Sequence, residues 1–362
     1  MEKIKIKNNI SFVPSEKSDG GSTKNINDKA IISQRDHSID FARGIAIILM
    51  VFTHVNGLMY LEPKAPLDWI TFAGATVCFS LFMFCFSYAY GLKAEKGYHY
   101  FKEIKRILLI LLVYFILGFI AYFFLHGEIV NIVKLITFQV FPEFTEFLIA
   151  FVLTGLLFLL IGKYLVKLKK YTKTIITVAI ISYVLAIFLS KLDFGIFNNL
   201  KALTFGDTNI HAFPIFAYMP IALLGFFWSH IEETYKSKIS LIVIALFSFF
   251  SLTIINTTAL GGWYRWPPSI SFILWGVFAV ALSIFCYKIS PMIAKDIITR
   301  IGRHSLSAFI ISTISIIGVY YIVGWTQYPA YFVIIISLCN LGFLYIYDLL
   351  AEGIKINSRK IQ

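Results

Sequence analysis

Two basic side chains stand eleven residues apart at the start of the first long apolar run, DFARGIAIILMVFTH. Arg43 carries a guanidinium and His54 an imidazole, and burying either group in a membrane is costly, so we expect both to serve chemistry. Eleven helical residues make about three turns and span about 16 Å, which places both side chains near one face. The pattern predicts a helix with an anion-binding group at its cytoplasmic end and a proton-handling group deep in the bilayer.

Each of these two residues also has a structural interpretation. Arg43 could pair with Asp40 and fix the orientation of the helix, or it could clamp a phosphate or carboxylate through its paired donors. His54 could be a buried neutral imidazole bonded to a backbone carbonyl, or a general base for a substrate hydroxyl or amine. The residues alone leave both choices open.

The composition is that of a membrane protein. The chain of 362 residues is 58% hydrophobic and 14% charged, whereas soluble domains carry about 25% charged residues. Its four cysteines all fall within apolar runs, which indicates packing rather than disulfide bonds, and we expect no metal site. We also expect no secretory signal, because the first 36 residues are polar.

The hydropathy pattern predicts an all-α, polytopic membrane helix bundle with about ten transmembrane helices and both termini cytoplasmic. Residues 1–36 are predicted to be a disordered cytoplasmic tail, residues 37–350 the membrane domain, and residues 351–362 a cytoplasmic C-terminal tail. Residues 128–142 are too short and too mixed to span, and could form an interfacial or re-entrant helix. The predicted spans are 39–60, 69–91, 107–126, 144–163, 174–190, 212–229, 239–256, 269–287, 305–324 and 329–349.

The distribution of basic residues supports this topology. With both termini inside, the cytosolic segments hold 27 of the 32 Lys and Arg residues, as the positive-inside rule requires. The net charge of +12 is therefore mostly a topology signal. We expect contact with membrane lipids and no binding of nucleic acid.

Basic side chains beside the spans are candidates for binding on the cytosolic side. Lys102, Lys105 and Arg106 precede the third span, and Arg303 precedes the ninth. Either stretch could be a solvated positive-inside loop or a cradle for a polyphosphate cofactor.

Residues on the outer side form a second set of candidates. Glu146 precedes the fourth span and could orient an imidazole or bind a sugar hydroxyl, and Asp68 stands similarly before the second span. Both could equally be ordinary carboxylates of outer loops. Trp263, Arg265 and Trp266 lie together in an outer loop, either as interfacial anchors or as a lip that binds carbohydrate or lipid headgroups.

The first apolar run, with ten residues between Arg43 and His54, resembles the opening signature of the membrane-bound acyltransferase-3 family. It is also similar to the related heparan-α-glucosaminide N-acetyltransferase-like proteins. Further likeness lies in ATVCFSLFMFCFSYAYG with FKEIKRILLILLVYF, in AFPIFAYMPIALLGFFWSH and in IGRHSLSAFIISTIS. Together these segments cover most of residues 38–320.

The resemblance implies a multi-pass acyltransferase of the cell membrane. Such families pass an acyl group, usually acetyl from acetyl-CoA, to a hydroxyl or amine of a glycan or lipid-linked sugar. It implies that Arg43 and His54 lie at the catalytic centre, with acetyl-CoA or another acyl-CoA as co-substrate. We expect the CoA phosphates to dock on Arg43, Lys102, Lys105, Arg106 and Arg303, and His54 to act as a base or brief acyl carrier.

Two other classes of function stay open. One is a proton-coupled transporter or flippase of a small or lipid-linked substrate, which a buried histidine would suit. The other is a membrane sensor or scaffold that uses the N-terminal tail. Few further ionisable groups lie within the spans and no broken-helix pair is evident, which disfavours the transporter. A homo-oligomer is compatible with any of these classes.

Overall fold

The computed structural model describes residues 36–59, 67–127, 132–169, 171–231, 235–236, 238–244, 246, 265–324 and 328–361. This part of the chain is helical and contains no strand, only an isolated bridge between Arg265 and Pro268. The predicted tail 1–36 lies outside the described residues, except for Asp36. The helices are α1 His37–Met59, α2 Leu67–Lys96, α3 Tyr100–His126, α4 Ile132–Ile136, α5 Glu146–Leu168, α6 Thr172–Ser190, α7 Asn198–Thr204, α8 Met219–Trp228, α9 Ile270–Ile289, α10 Met292–Arg303, α11 Ser305–Val323 and α12 Ala330–Ile361.

Eight of the described helices are long and apolar enough to cross a membrane, which confirms the prediction of a polytopic helical membrane protein. They are α1, α2, α3, α5, α6, α9, α11 and the part of α12 up to Glu352. Each coincides with one of the predicted spans. Beyond its span, α12 continues through most of the residues predicted to be a C-terminal tail.

The two remaining predicted spans have different outcomes. The sixth, 212–229, is wrong in extent, because the helix there is the ten-residue α8 and residues 215–218 form turns. Ten helical residues reach about 15 Å, half of a hydrocarbon core of about 30 Å. Pro220 lies in the first turn of α8, a position where proline is favoured. The seventh, 239–256, lies mostly outside the described residues, although 238–244 are helical.

Helix α1 packs against α2, α9, α10, α11 and α12, so residues along it face several neighbours. Glycines bring its partners close. A Cβ at Gly302 would overlap the carbonyl oxygen of Asp40, and one at Gly44 would overlap that of Ile298. Small residues allow such close approach of helix backbones in membranes. Helix α10 is therefore pressed against the first turns of α1.

Helix α10 differs from its neighbours in being strongly amphipathic. Met292 and Ile293 are exposed, while Lys295, Asp296 and Arg300 give the helix charged positions. A short helix of this kind between two spans is expected to lie in the plane of the membrane surface. It ends at Arg303, beside the first turns of α1.

Candidate functional site

Arg43 lies in the second turn of α1, and its guanidinium has two partners. One nitrogen donates to Asp40 Oδ1 at 3.2 Å, and the other donates to the carbonyl of Cys85 on α2 at 3.2 Å. The pairing with Asp40 expected from the structural interpretation is thus present. Arg43 nevertheless lines a cavity, so the pairing does not remove it from solvent or ligand.

This cavity, which we call the Arg43 cavity, has a volume of about 610 Å³. Arg43, Arg106 and Arg303 all line it, so the structure brings together three cations from α1, α3 and α10. His304, which follows Arg303 in the sequence, also lines it. The rest of the wall is mostly aromatic and aliphatic: Phe82, Phe86, Ile110, Phe147, Leu148, Phe151, Leu306 and Phe309, with Ser305.

The other two arginines of the Arg43 cavity are also held by carboxylates. Arg106 donates to Glu103 Oε1 at 2.6 Å, and Lys93 donates to the other oxygen of Glu103 at 2.6 Å. Arg303 pairs with Glu352 on α12. Glu103 on α3 is buried, and a glutamate is rarely buried in a protein unless its charge is paired. These pairs allow several cations to sit together without bare repulsion.

Lys102 and Lys105 do not line the Arg43 cavity. Both side chains are exposed on α3, whereas Arg106 lies on the side of the helix that reaches the cavity.

Arg300 on α10 is a further cation close to Arg303. Hydrogen bonds from Arg300 to Asp296 and Glu352 raise the pKa of its guanidinium above the ordinary value, so it stays charged.

The other end of α1 borders a smaller cavity of about 270 Å³, which we call the His54 cavity. His54, Glu143, Glu146 and Arg265 supply its ionisable groups. They come from three segments that are distant in sequence. The remaining wall consists of Met50, Thr53, Gly74, Ala75, Cys78, Phe79, Phe82, Phe144, Phe147 and Phe213.

Two polar atoms of the His54 cavity are buried without a hydrogen-bond partner among the described residues. They are Nδ1 of His54 and Oε2 of Glu146. The hydrogen bond to a backbone carbonyl that the structural interpretation of His54 expects is therefore absent at Nδ1 among the described residues. Buried polar atoms are nearly always paired, so an unpaired one calls for an explanation, such as a catalytic role or a bound water, ion or ligand.

The two cavities share part of their walls. The rings of Phe82 on α2 and Phe147 on α5 line both of them. Phe147 is fixed by edge contacts with Phe309 and Phe151, at ring-centroid distances of 5.0 and 5.7 Å. The space beside Arg43 and the space beside His54 therefore adjoin at these two rings, which we call the partition.

A family model described as an acyltransferase domain matches residues 36–347, which include both cavities. The chain belongs to the acyltransferase-3 family. The match supports this resemblance and not the one to the heparan-α-glucosaminide N-acetyltransferase-like proteins. No curated protein and no solved structure matches the chain. The protein is a membrane acyltransferase, and of the signature residues Arg43 lines the Arg43 cavity and His54 the His54 cavity.

The remaining candidates of this acyltransferase are less close to His54. Asp68 lies in the first turn of α2 and does not line the His54 cavity. Trp266 does not line it either, but the guanidinium of Arg265 lies over its ring at 4.3 Å, and the imidazole of His211 stacks on it at 4.5 Å. Trp266 therefore supports the side chain that enters the cavity. Trp263 lies outside the described residues.

The backbone next to Glu146 is unusual. Phe144 has a φ of 66°, in the left-handed region. This region is a rare one for a bulky residue and costs about 1–3 kcal/mol. The ring of Phe144 meets the imidazole of His54 edge-on, with centroids 4.6 Å apart. No sequence pattern indicated this contact.

Proposed function

We propose that this acyltransferase takes an acyl group, specifically acetyl, from cytosolic acyl-CoA and passes it to a hydroxyl or amine of a glycan or lipid-linked sugar. One observation carries the proposal: a cationic cavity and a histidine cavity border opposite ends of α1 and share the rings of Phe82 and Phe147. The helical rise between Arg43 and His54 is about 16 Å. The long, thin pantetheine arm of CoA could extend over this distance.

The Arg43 cavity suits the donor. Guanidinium groups bind phosphate through paired hydrogen bonds, and Arg43, Arg106 and Arg303 come from three different helices. The phosphates of CoA would replace carboxylates such as Glu103 and Glu352 as partners of these arginines. The aromatic wall beyond them suits the uncharged pantetheine arm, which would carry the thioester past Phe82 and Phe147.

The His54 cavity suits the acceptor and the reaction. Its carboxylates, Glu143 and Glu146, can accept hydrogen bonds from hydroxyl groups, and Arg265 can donate them. A hydroxyl-rich acceptor would thus satisfy polar atoms that have no partner among the described residues, including Oε2 of Glu146. Glu146 is also placed to bind the acceptor beside His54.

In the reaction, His54 takes the proton of the acceptor hydroxyl or amine, and the oxygen or nitrogen of the acceptor bonds to the thioester carbon. The carbonyl electron pair moves to oxygen, and the guanidinium of Arg265 in the same cavity stabilises that negative charge. The carbon–sulfur bond then breaks. The departing thiolate takes the proton back from His54, which leaves the acylated acceptor and free CoA.

The test is an assay of the purified protein in nanodiscs with labelled acetyl-CoA and a panel of sugars and lipid-linked sugars. We expect label to reach an acceptor, and we expect His54→Ala to lower kcat by about 10²–10⁴-fold, the usual contribution of general acid–base catalysis. His126→Ala is the matched control, because His126 is exposed at the end of α3 and lines neither cavity. Transfer by His54→Ala at the wild-type rate would remove the catalytic role.

A further inference from the structure

The segment Pro142–Glu146 carries a group of side chains toward His54. Glu143, Phe144 and Glu146 all line the His54 cavity. The left-handed turn at Phe144 lies between the two glutamates, and all three side chains face one space. Glycine would adopt this backbone without strain, yet the position holds a phenylalanine.

The turn is held firmly on both sides. The hydroxyl of Thr145 donates to the carbonyl of Pro142 at 3.1 Å, and the backbone N–H of Leu148 donates to the carbonyl of Thr145 at 2.9 Å. On α3, Gly118 leaves the space that Pro142 occupies, since a Cβ there would lie 2.8 Å from the proline ring. These hydrogen bonds and the packing of Pro142 against Gly118 thus fix the turn that carries the ring of Phe144.

We propose that Phe144 is a positioning residue for His54. Its ring centroid lies 4.6 Å from that of the imidazole in an edge contact, which limits rotation of the His54 side chain and keeps water from the side where the two rings meet. The left-handed backbone is retained because the ring in that place orients the reacting group. This inference rests on the proposed function, in which His54 is the base.

A second phenylalanine serves as a control for the backbone strain at Phe144. Phe138 also has a left-handed φ, of 55°, and is likewise partly exposed. Its ring packs 6.1 Å from that of Tyr114 and lines neither cavity. Replacing each phenylalanine by glycine relieves the same kind of backbone strain, and only one replacement removes a contact with His54.

The experiment compares Phe144→Gly, Phe144→Tyr and Phe138→Gly in nanodiscs. We expect Phe144→Gly to lower kcat about 10- to 100-fold, as misplacement of a reacting group does, with the KM for acetyl-CoA unchanged. Phe144→Tyr keeps the ring edge and should restore most of the rate. Phe138→Gly should keep the wild-type kcat, and the melting temperatures of both glycine variants should lie close together.

A second readout does not depend on turnover. Carbethoxylation of His54 by diethyl pyrocarbonate, followed by mass spectrometry of the peptide that contains it, should be several-fold faster in Phe144→Gly than in the wild type or Phe138→Gly. A wild-type kcat and a wild-type modification rate in Phe144→Gly would overturn the inference, as would equal losses in both glycine variants. If the wild type transfers no acyl group but the modification rates differ as expected, the proposed function fails while the shielding of His54 by Phe144 stands.

Discussion

The two cavities that border α1 are built on opposite electrostatic plans. In the Arg43 cavity, Arg43, Arg106 and Arg303 each contact a carboxylate of the protein. In the smaller His54 cavity, Nδ1 of His54 and Oε2 of Glu146 are buried and have no hydrogen-bond partner among the described residues. The first plan suits a site whose arginines exchange protein carboxylates for the phosphates of a charged ligand. The second suits a site whose polar atoms are satisfied only when a substrate is in place.

We expect the largest difference between the two cavities to come from a substitution of Arg43. Arg43→Lys keeps the charge but loses the fork that contacts Asp40 and Cys85 together, so we expect the KM for acetyl-CoA to rise about tenfold, worth about 1.4 kcal/mol. We expect kcat to change much less. Steady-state kinetics with varied acetyl-CoA would measure both, with Lys173→Ala, an exposed cation on α6, as the control for general charge effects. A fall in kcat alone would mean that Arg43 belongs to the reacting end.

The partition between the cavities gives a second prediction. Phe82→Ala removes one of the two rings shared by both walls, so water from the acceptor side should reach the bound thioester. We expect hydrolysis of acetyl-CoA without acceptor to rise about fivefold relative to transfer, an estimate in line with loss of water exclusion. Release of free thiol and of labelled acetate would be followed together. Phe278→Ala is a suitable control, because Phe278 borders a separate apolar groove and neither of these cavities. An unchanged ratio of hydrolysis to transfer would mean that these rings do not separate the two spaces.

The smallest expected effect concerns the carboxylate partners of the donor end. Glu352→Gln removes the charge that holds Arg303, so the KM for acetyl-CoA should fall about two- to threefold, as expected for a partly exposed ion pair. Asp296→Asn is the control, because Asp296 pairs with Arg300 at the exposed face of α10 and contributes nothing to the cavity wall. The difference between the two variants should shrink in high salt, since salt screens such pairs. An equal fall in the KM of both variants would mean that the effect comes from the change in net charge and not from the pairing of Glu352 with Arg303.

How much of the site could be predicted depended on how local its signals are. Arg43 and His54 lie on one helix, so their spacing and helical geometry were enough to predict how far apart along it they lie; each lines a cavity. The helices α1, α2, α3, α5, α6, α9, α11 and α12 were predictable because long apolar runs force backbone hydrogen bonds inside the segment. Hydropathy did not reveal that residues 215–218 form turns, because apolar turns and apolar helices score alike.

Residues whose roles depend on tertiary contacts were predicted less well. Lys102, Lys105 and Arg106 are equivalent as charges in the sequence, and only the way α3 packs directs Arg106 to the cavity. Glu146 and Arg265 were singled out separately, but nothing in the sequence showed that both border the same space as His54. The left-handed backbone of Phe144 runs against residue preference, so no propensity argument could find it.

The glycine contacts between α10 and α1 have a consequence for how the enzyme responds to its surroundings. Gly302 and Gly44 allow backbone to rest directly on backbone, which leaves no layer of side chains to absorb relative motion. Helix α10, which we expect to lie at the membrane surface, is thereby in direct backbone contact with the helix that bears Arg43 and His54. Because backbone meets backbone at both glycines, we expect any tilt of α10 to move the first turns of α1 and, with them, the wall of the Arg43 cavity.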